Sequence, residues 1–547
     1  MAALPAWLIP LPDAETMRAI DRWAIDEQGV PGLDLMERAG TGVARAVERL
    51  APDGPVAVVC GKGNNGGDGL VVARLLREAG RQVRVACVAP PQDFGGDALV
   101  NLTRLPGEQP VQLPSDAGPP AARRRAAAFD SATVVVDALL GTGFSGSPRG
   151  AVADAIAAIN DTSAPVVSVD VPSGVDASTG VVAELAARAT LTVTFHAAKP
   201  GLWIRPGKGY AGEVQTLDIG IPRGAPRDAD VGLIAPSVHE RLPSRTACST
   251  KFTSGHVFVV GGSRGLTGAP RMAAQASMRA GAGYLTACVP VSLQAVVAGA
   301  GPPELMTRGL ADEDGALAEA AAASALNETA RGGALALGPG LGRSEGAVAF
   351  ARRLARESNN ALVLDADGLN AHAGRLRELA GRRAPTVLTP HAGELGRLLE
   401  LDSAEIEGRR LQHVRTAAQL AQAVVVLKGD DSLIADPGGR VAVSPGASPA
   451  LATAGTGDVL TGVIAALLAQ GLDPFTAAAA GVWLHVAAGR EAARRQGAPE
   501  AVIASDVIDA LPAARAGAAR AGAAGQRAGG GEVAGAARTG ASGSGAG

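Results

Sequence analysis

The sequence predicts two α/β domains, each a largely parallel sheet with helices on both faces, followed by an unstructured tail. Three observations point there. At 547 residues the chain is too long for a single core. Short Val-, Ala- and Leu-rich runs alternate with helical spacings, and this alternation breaks once, at PRGAPRDADVG (residues 222–232), which reads as a linker. Most strand-like runs also end directly in a loop bearing glycine or aspartate, and open α/β sheets bind ligands at that carboxyl edge. The expected units are residues 1–226, a linker at 227–239, residues 240–512 and a tail at 513–547. Each half has its own strands and apolar helices and is expected to fold alone.

In the first half, helical spacing over Ala14–Gly29 and Leu33–Leu50 leads into a strand at Val56–Cys60. GKGNNGGDG at 61–69 and a helix over Leu70–Ala79 complete a βα unit whose helix start faces a ligand. Gly61, Gly63 and Gly66 satisfy G-x-G-x-x-G, yet the next strand, Val83–Val88, ends in Ala89-Pro90 with no acid for a ribose hydroxyl. The dinucleotide fingerprint is therefore incomplete. Asn64, Asn65 and Asp68 instead offer oxygens that suit a hard cation or a ligand's hydroxyls and amide. Strands at Thr133–Val136 and Val166–Val169 run into Asp137 and Asp170. Singly these are turn or cap residues; together with the Asn-Asn-Gly-Gly-Asp loop they read as one site. Asp170 is the candidate acid/base for inverting a carbon that bears a hydroxyl. Lys62 is a less specific candidate for phosphate.

The pattern restarts in the second half with a strand at His256–Val260, a glycine loop and a helix over Ala269–Ala280. Strands follow at Tyr284–Val289, Ala334–Leu337, Ala361–Leu364, Thr386–Thr389 and Val424–Leu427, the last four running into GPGLG, DADGLN, PHAGE and KGDD. Lys428 ends an apolar strand with glycine next, which suits a compact cation on a nucleotide phosphate. His391 after a strand is ordinarily a hydrogen-bonded structural residue; beside Lys428 it becomes a substrate contact. In LATAGTGDVLTG (451–462) glycines deliver Asp458 to the start of an apolar helix at about Gly457–Ala469. Such a helix start is an anion site. A carboxylate facing a phosphate there serves best as a base taking a proton from the hydroxyl that meets the phosphorus. The competing reading is an aspartate that only complements the helix dipole.

Composition excludes several classes. With Lys+Arg 50 against Asp+Glu 53 and no basic stripe, no nucleic-acid partner is expected. The four cysteines, Cys60, Cys87, Cys248 and Cys288, are widely spaced and read as reduced thiols, and no grouping has zinc spacing. The N-terminus lacks a charged segment followed by an apolar one, and no run reaches the ~18 apolar residues of a membrane span. A cytoplasmic protein with no membrane partner is expected. After Leu511, Ala, Gly, Ser and Arg without large apolar residues predict disorder.

GNNGGDG, VVDALLGTGFSG, VDVPSGVD and the pair TLTVTFHAAKPGL and YAGEVQTLDIGIP resemble, in order, the NAD(P)H-hydrate epimerase domain across residues 13–222. GLTGAP, LGPGLG, DADGLN, TPHAGE, VVLKGD and LATAGTGDVLTG resemble the ADP-dependent NAD(P)H-hydrate dehydratase domain across residues 240–512. The final motif is similar to the Gly-Thr-Gly-Asp anion hole of ribokinase-like enzymes. The whole chain thus resembles the bifunctional NAD(P)H-hydrate repair enzymes.

That resemblance implies a Rossmann-like three-layer αβα domain followed by a ribokinase-like α/β domain. The first, an isomerase, interconverts the R and S hydrates of NADH and NADPH (NADHX and NADPHX). The second, a lyase, spends ADP to dehydrate the S form. By the same resemblance, Asn64, Asn65, Gly66, Gly67 and Asp68 hold the hydrate with Gly141, Thr142, Gly143, Phe144, Ser145, Gly146 and Ser147, and Asp170 touches it. Asn65, Asp137 and Ser173 supply oxygens to a potassium ion (K+). Ala269, Gly342 and His391 contact the hydrate in the second domain, and Asp458 meets the reacting hydroxyl. Lys428, Gly429, Asp430, Asp431, Ser432 and Gly457 hold ADP, with Mg2+. A homo-oligomer is expected. One departure is GASPA at 446–450, where many relatives have Asn-Pro-Gly. The rival reading is a ribokinase-like small-molecule kinase fused to a non-catalytic Rossmann-like binding module.

Overall fold

The computed structural model describes residues 3–113, 129, 131–226 and 229–529. Its first strands are β1 (Leu8–Pro10), β2 (Val56–Cys60), β3 (Val83–Cys87), β4 (Val111–Gln112) and β5 (Val134–Ala138). β6 (Val166–Val169), β7 (Leu191–Phe195), β8 (Glu213–Leu217) and β9 (Val231–Ile234) follow. The second half adds β10 (His256–Val260), β11 (Tyr284–Pro290), β12 (Met306–Leu310), the short hairpin of β13 (Asp312–Glu313) and β14 (Ala316–Leu317), and β15 (Ala334–Leu337). It ends with β16 (Ala361–Leu364), β17 (Thr386–Leu388), β18 (Val424–Leu427), β19 (Leu433–Ala435) and β20 (Val441–Val443).

The first sheet has the order β4-β3-β2-β5-β6-β7-β8, with every neighbouring pair parallel. Alternation along β2 builds two cores. Val56, Val58 and Cys60 meet the helices at Gly32–Leu50 and Asn64–Glu78 on one face. Ala57 and Val59 meet Ile156 and Ile159 of the helix Gly150–Asn160 on the other. This is the three-layer sandwich. Strand order reverses between β2 and β5, so their carboxyl ends open a crevice at the switch point.

The helix after β2 begins at Asn64 rather than at the expected Leu70, and the glycine-rich run is its first two turns. The cause is close packing. A Cβ on Gly66 would lie 1.8 Å from the Gly61 carbonyl oxygen, and one on Gly69 would lie 2.6 Å from the Ala138 Cβ.

The second sheet has the order β1-β9-β20-β19-β18-β17-β16-β15-β10-β11-β12. From β18 to β12 the pairs are parallel, whereas β19 pairs antiparallel with both β18 and β20. Val257 and Val259 face one helical layer, Phe258 and Leu335 the other, so this sheet too is buried on both sides.

The halves interleave more than expected. β9 lies inside the stretch read as linker, and β1, from the very start of the chain, pairs with it antiparallel at the edge of the second sheet. Trp7, Leu8, Leu11 and Ile204 are buried in the second half's cores. β1 has only three residues, and β9 sits among the Pro, Gly and charged residues that mark a linker, so neither stands out in the sequence.

The tail also differs. A helix spans Ala504–Gly529, with Leu511 and Ala514 packed in the core and Arg515 donating to the Ala280 carbonyl at 2.9 Å. Alanines suffice where helices approach closely, so the expected disorder from residue 513 does not apply up to 529; residues 530–547 lie outside the described residues. Among the described residues no helix is long and apolar enough to cross a membrane.

Candidate active sites

The crevice of the first sheet is a cavity of about 920 Å³. Asn64, Asn65, Asp68, Gly141, Thr142, Gly143, Phe144 and Asp170 line it. Gly66 and Gly67 sit behind it, against Gly61 and Met36 respectively. Ser145, Gly146 and Ser147 continue the loop beyond its wall.

Asp170 follows β6 with φ +65°, a left-handed conformation uncommon for a residue with a side chain. Its Oδ1 accepts from Lys199 Nζ at 2.6 Å and Thr194 Oγ1 at 3.1 Å, while Oδ2 accepts from the Thr142 hydroxyl and backbone N–H. Burial alone would raise its pKa; the Lys199 ammonium and these hydrogen bonds hold it below the usual value instead. Asp68 and Asp21 line the same cavity and go the opposite way. Burial raises both, Asp68 strongly, and the Asp170 charge adds to it. Lys199, Thr194 and Asp21 were not singled out in the sequence. The one available signal was a lysine in the largely apolar AAKPGL that follows Phe195 and His196.

Asp137 is the last residue but one of β5 and is fully buried. Its carboxylate accepts from Ser168 Oγ at 2.9 Å, Ser173 N–H at 2.9 Å and Ser173 Oγ at 2.5 Å. All these donors are neutral, and burial outweighs them in raising the Asp137 pKa. Asn65 lies close by, packed against Gly141, with its buried Nδ2 unpartnered. A buried carboxylate ringed by hydroxyls and lacking a counter-charge is a fit for a monovalent cation.

In the second half the helix Thr456–Ala469 starts after Gly455, which has φ +89°. Asp458 lies in its first turn and has no hydrogen-bond partner among the described residues. Burial, with Asp365 adding to it, pushes its pKa up to about 7. Gly457 leaves room for Lys428, whose Nζ is 3.7 Å from where its Cβ would be. Lys428 Nζ donates to Asp365 Oδ1 at 3.0 Å and stands 3.6 Å from Glu394 Oε2. Burial would lower its pKa, but those carboxylates hold it above the usual value. Asp365 also accepts from Thr461 Oγ1 at 2.7 Å, which ties the loop after β16 to the anion-site helix. Gly342 donates its N–H to Asp367 at 3.0 Å and faces Ser263, and Ala269 opens the helix at Gly268–Arg279 beside Gly340.

Two families match these two regions. The family described as YjeF-related protein N-terminus matches residues 32–201, and NAD(P)H-hydrate dehydratase matches residues 257–513. The bifunctional NAD(P)H-hydrate repair enzyme Nnr of Moorella thermoacetica is 42% identical over 91% of this chain and 95% of its own length. The chain belongs to the bifunctional NAD(P)H-hydrate repair enzyme family. The same enzyme of Salinibacter ruber is 42% identical over 92% of this chain and 95% of its own. A crystal structure of the ADP/ATP-dependent NAD(P)H-hydrate dehydratase from Bacillus subtilis, co-crystallized with ATP and Mg2+, is 30% identical over 51% of this chain and 94% of that one, with a TM-score of 0.44.

In this member of the repair family the expected site residues are not equally placed. His391 caps the helix Ala392–Leu399: its Nδ1 accepts from Gly393 N–H at 3.0 Å, while Glu394 accepts from the His391 N–H at 2.9 Å. The structural role weighed from sequence is therefore present, with Nε2 left towards Glu394 at 3.6 Å. Asp431 is fully buried on Arg410, and Asp430 pairs with Arg205 and Lys208 of the first half. Neither is an ion-pair partner of Lys428, whose ammonium pairs with Asp365 and Glu394. Ser432 Oγ closes the turn onto the Gly429 carbonyl at 2.8 Å.

Proposed function

We propose that the chain repairs hydrated NADH and NADPH in two steps divided between its halves, as its membership of the repair family and the chemistry of the two sites support. The first half interconverts the R and S hydrates. Inversion at the hydroxyl-bearing ring carbon needs one group to protonate the departing hydroxyl and another to deprotonate the water that returns on the opposite face. Asp170, held towards the ionised form by Lys199, suits the base, and Asp68 or Asp21, whose carboxyls burial makes harder to ionise, suits the acid. Asn65, Asp137 and Ser173 would hold potassium, which supplies a counter-charge to Asp137. Potassium is then expected to raise the melting temperature by mass action relative to a bulky organic cation at equal ionic strength. Identical melts in the two salts would exclude the site.

The second half dehydrates the S form. Asp458 takes the hydroxyl proton as that oxygen attacks the terminal phosphorus of ADP; AMP leaves, and phosphate then departs with a proton from the adjacent ring carbon, restoring the reduced nicotinamide. Lys428 and the N–H groups from Gly457 onward meet the phosphate charge. Asp365 and Glu394 would take Mg2+ together with phosphate oxygens, since magnesium ordinarily binds through one or two carboxylates plus substrate phosphates. The observation that carries the reading is Asp458: a half-buried carboxylate in the first turn of a helix, beside a lysine and with no side-chain hydrogen bond among the described residues.

Incubating hydrated NADH with ADP and the full chain tests the function, the expected result being return of reduced-nicotinamide absorbance with stoichiometric AMP. A stable phosphorylated product without that return would favour the kinase reading. A base must be ionised to accept a proton. The ADP-dependent kcat/KM should therefore fall on the acid side with a midpoint near the Asp458 value of about 7. A profile flat from about pH 6 to pH 8 would exclude Asp458 as that base. These repairs are placed in the cytoplasm, consistent with unpaired Cys60, Cys87 and Cys288.

A further inference from the structure

We infer that the segment Ile204–Lys208 of the epimerase half is a positioning element for the nucleotide loop of the dehydratase half, so that ADP binding by this fused chain depends on its first domain. This rests on the reading of Lys428–Ser432 as that loop. A continuous set of contacts joins the two. Ile204 is fully buried in a core of the second half, which fixes the segment. The next residue, Arg205, donates its backbone N–H to Asp431 Oδ2 at 2.9 Å, and its guanidinium pairs with Asp430. Lys208 Nζ donates to the Asp430 carbonyl at 2.8 Å and stands 3.4 Å from the same carboxylate.

Asp431 passes the constraint on. It is fully buried and accepts from Arg410 Nε at 3.0 Å, and Arg410, 1% exposed, donates to the Lys428 carbonyl at 3.1 Å. Between them, Gly429 has no room for a side chain: a Cβ there would lie 2.5 Å from Arg410 and 2.7 Å from Asp431. The backbone of Lys428 is thereby tied to the first half, and its ammonium sits beside Asp365 and Asp458. Two carboxylates that the motif alone assigns to the nucleotide are thus spent on the domain boundary.

The test is the Kd of ADP, measured by calorimetry on the intact chain, for wild type, Arg205→Ala/Lys208→Ala and Lys428→Ala. The double variant should bind ADP about three- to tenfold more weakly, the scale of coupling through a contiguous network. Its KM for ADP should rise in step, kcat should stay within about twofold, and R/S interconversion should be unchanged. Pairing Arg205→Asp with Asp430→Arg should recover affinity lost in Arg205→Asp alone. Arg205→Gln, which removes the charge but keeps a polar side chain, serves if the double variant does not fold, with the same direction of change. If Lys428→Ala weakens ADP binding and the double variant does not, even with a lowered melt, the coupling is refuted while the nucleotide site stands. If neither variant weakens it, the nucleotide site itself is misplaced.

Discussion

Asp458→Asn is expected to abolish ADP-dependent recovery of NADH, with a loss of roughly 10²–10⁴ in rate, while R/S interconversion continues. Asparagine keeps the shape and removes the capacity to take a proton. No hydrogen bond is lost, because Asp458 has no partner among the described residues. Removing a carboxylate from beside Asp365 and Glu394 relieves like-charge repulsion, since burial and those neighbours raise its pKa to about 7. The folded state should therefore be no less stable, and a lower melting temperature with lost activity would point to packing rather than chemistry.

Asp170→Asn should produce the converse, a similarly large loss of epimerisation with ADP-dependent turnover of the S form retained. The setting differs. Lys199 is 1% exposed, and Asp170 is its ion-pair partner at 2.6 Å, so asparagine leaves a buried ammonium without its counter-charge. Breaking such a pair costs about 3–5 kcal/mol, which lowers the melt along with the rate. Asp170→Asn/Lys199→Met removes both charges and should recover most of the melting temperature without recovering epimerisation. Recovery of activity in that double variant would show that Asp170 only neutralises Lys199.

What the sequence made legible was the chemistry at strand ends. Asp137, Asp170 and Lys428 each end or follow an apolar strand and Asp458 opens an apolar helix; Asp170 lines the cavity of the first sheet, and Lys428 and Asp458 lie together beside Asp365. Their partners were hidden because pairing is tertiary. Lys199 reaches Asp170 across 29 residues, Thr461 reaches Asp365 across 96, and Arg410 reaches Asp431 across 21. Local periodicity says nothing of such contacts. The side-chain partners of Asp430 and Asp431 in the KGDDS loop were not legible from the motif either: they pair with Arg205 and Arg410. β1 escaped notice because three residues define no period, β9 because it lies among linker-like Pro, Gly and charged residues, and the helix to Gly529 because alanine is small enough to pack without looking like a core.

The division of labour between two aspartates is tested most directly by chiral separation of the R and S hydrates over time, with ADP present, for the two single variants and for their mixture. Asp458→Asn alone should interconvert the hydrates and regenerate no NADH. Asp170→Asn alone should consume the S form and leave the R form to its slow spontaneous conversion. Mixed, the two proteins should clear both hydrates at a rate approaching wild type. NADH regeneration by Asp458→Asn at more than about a tenth of the wild-type rate, or a mixture no better than either variant alone, would contradict it.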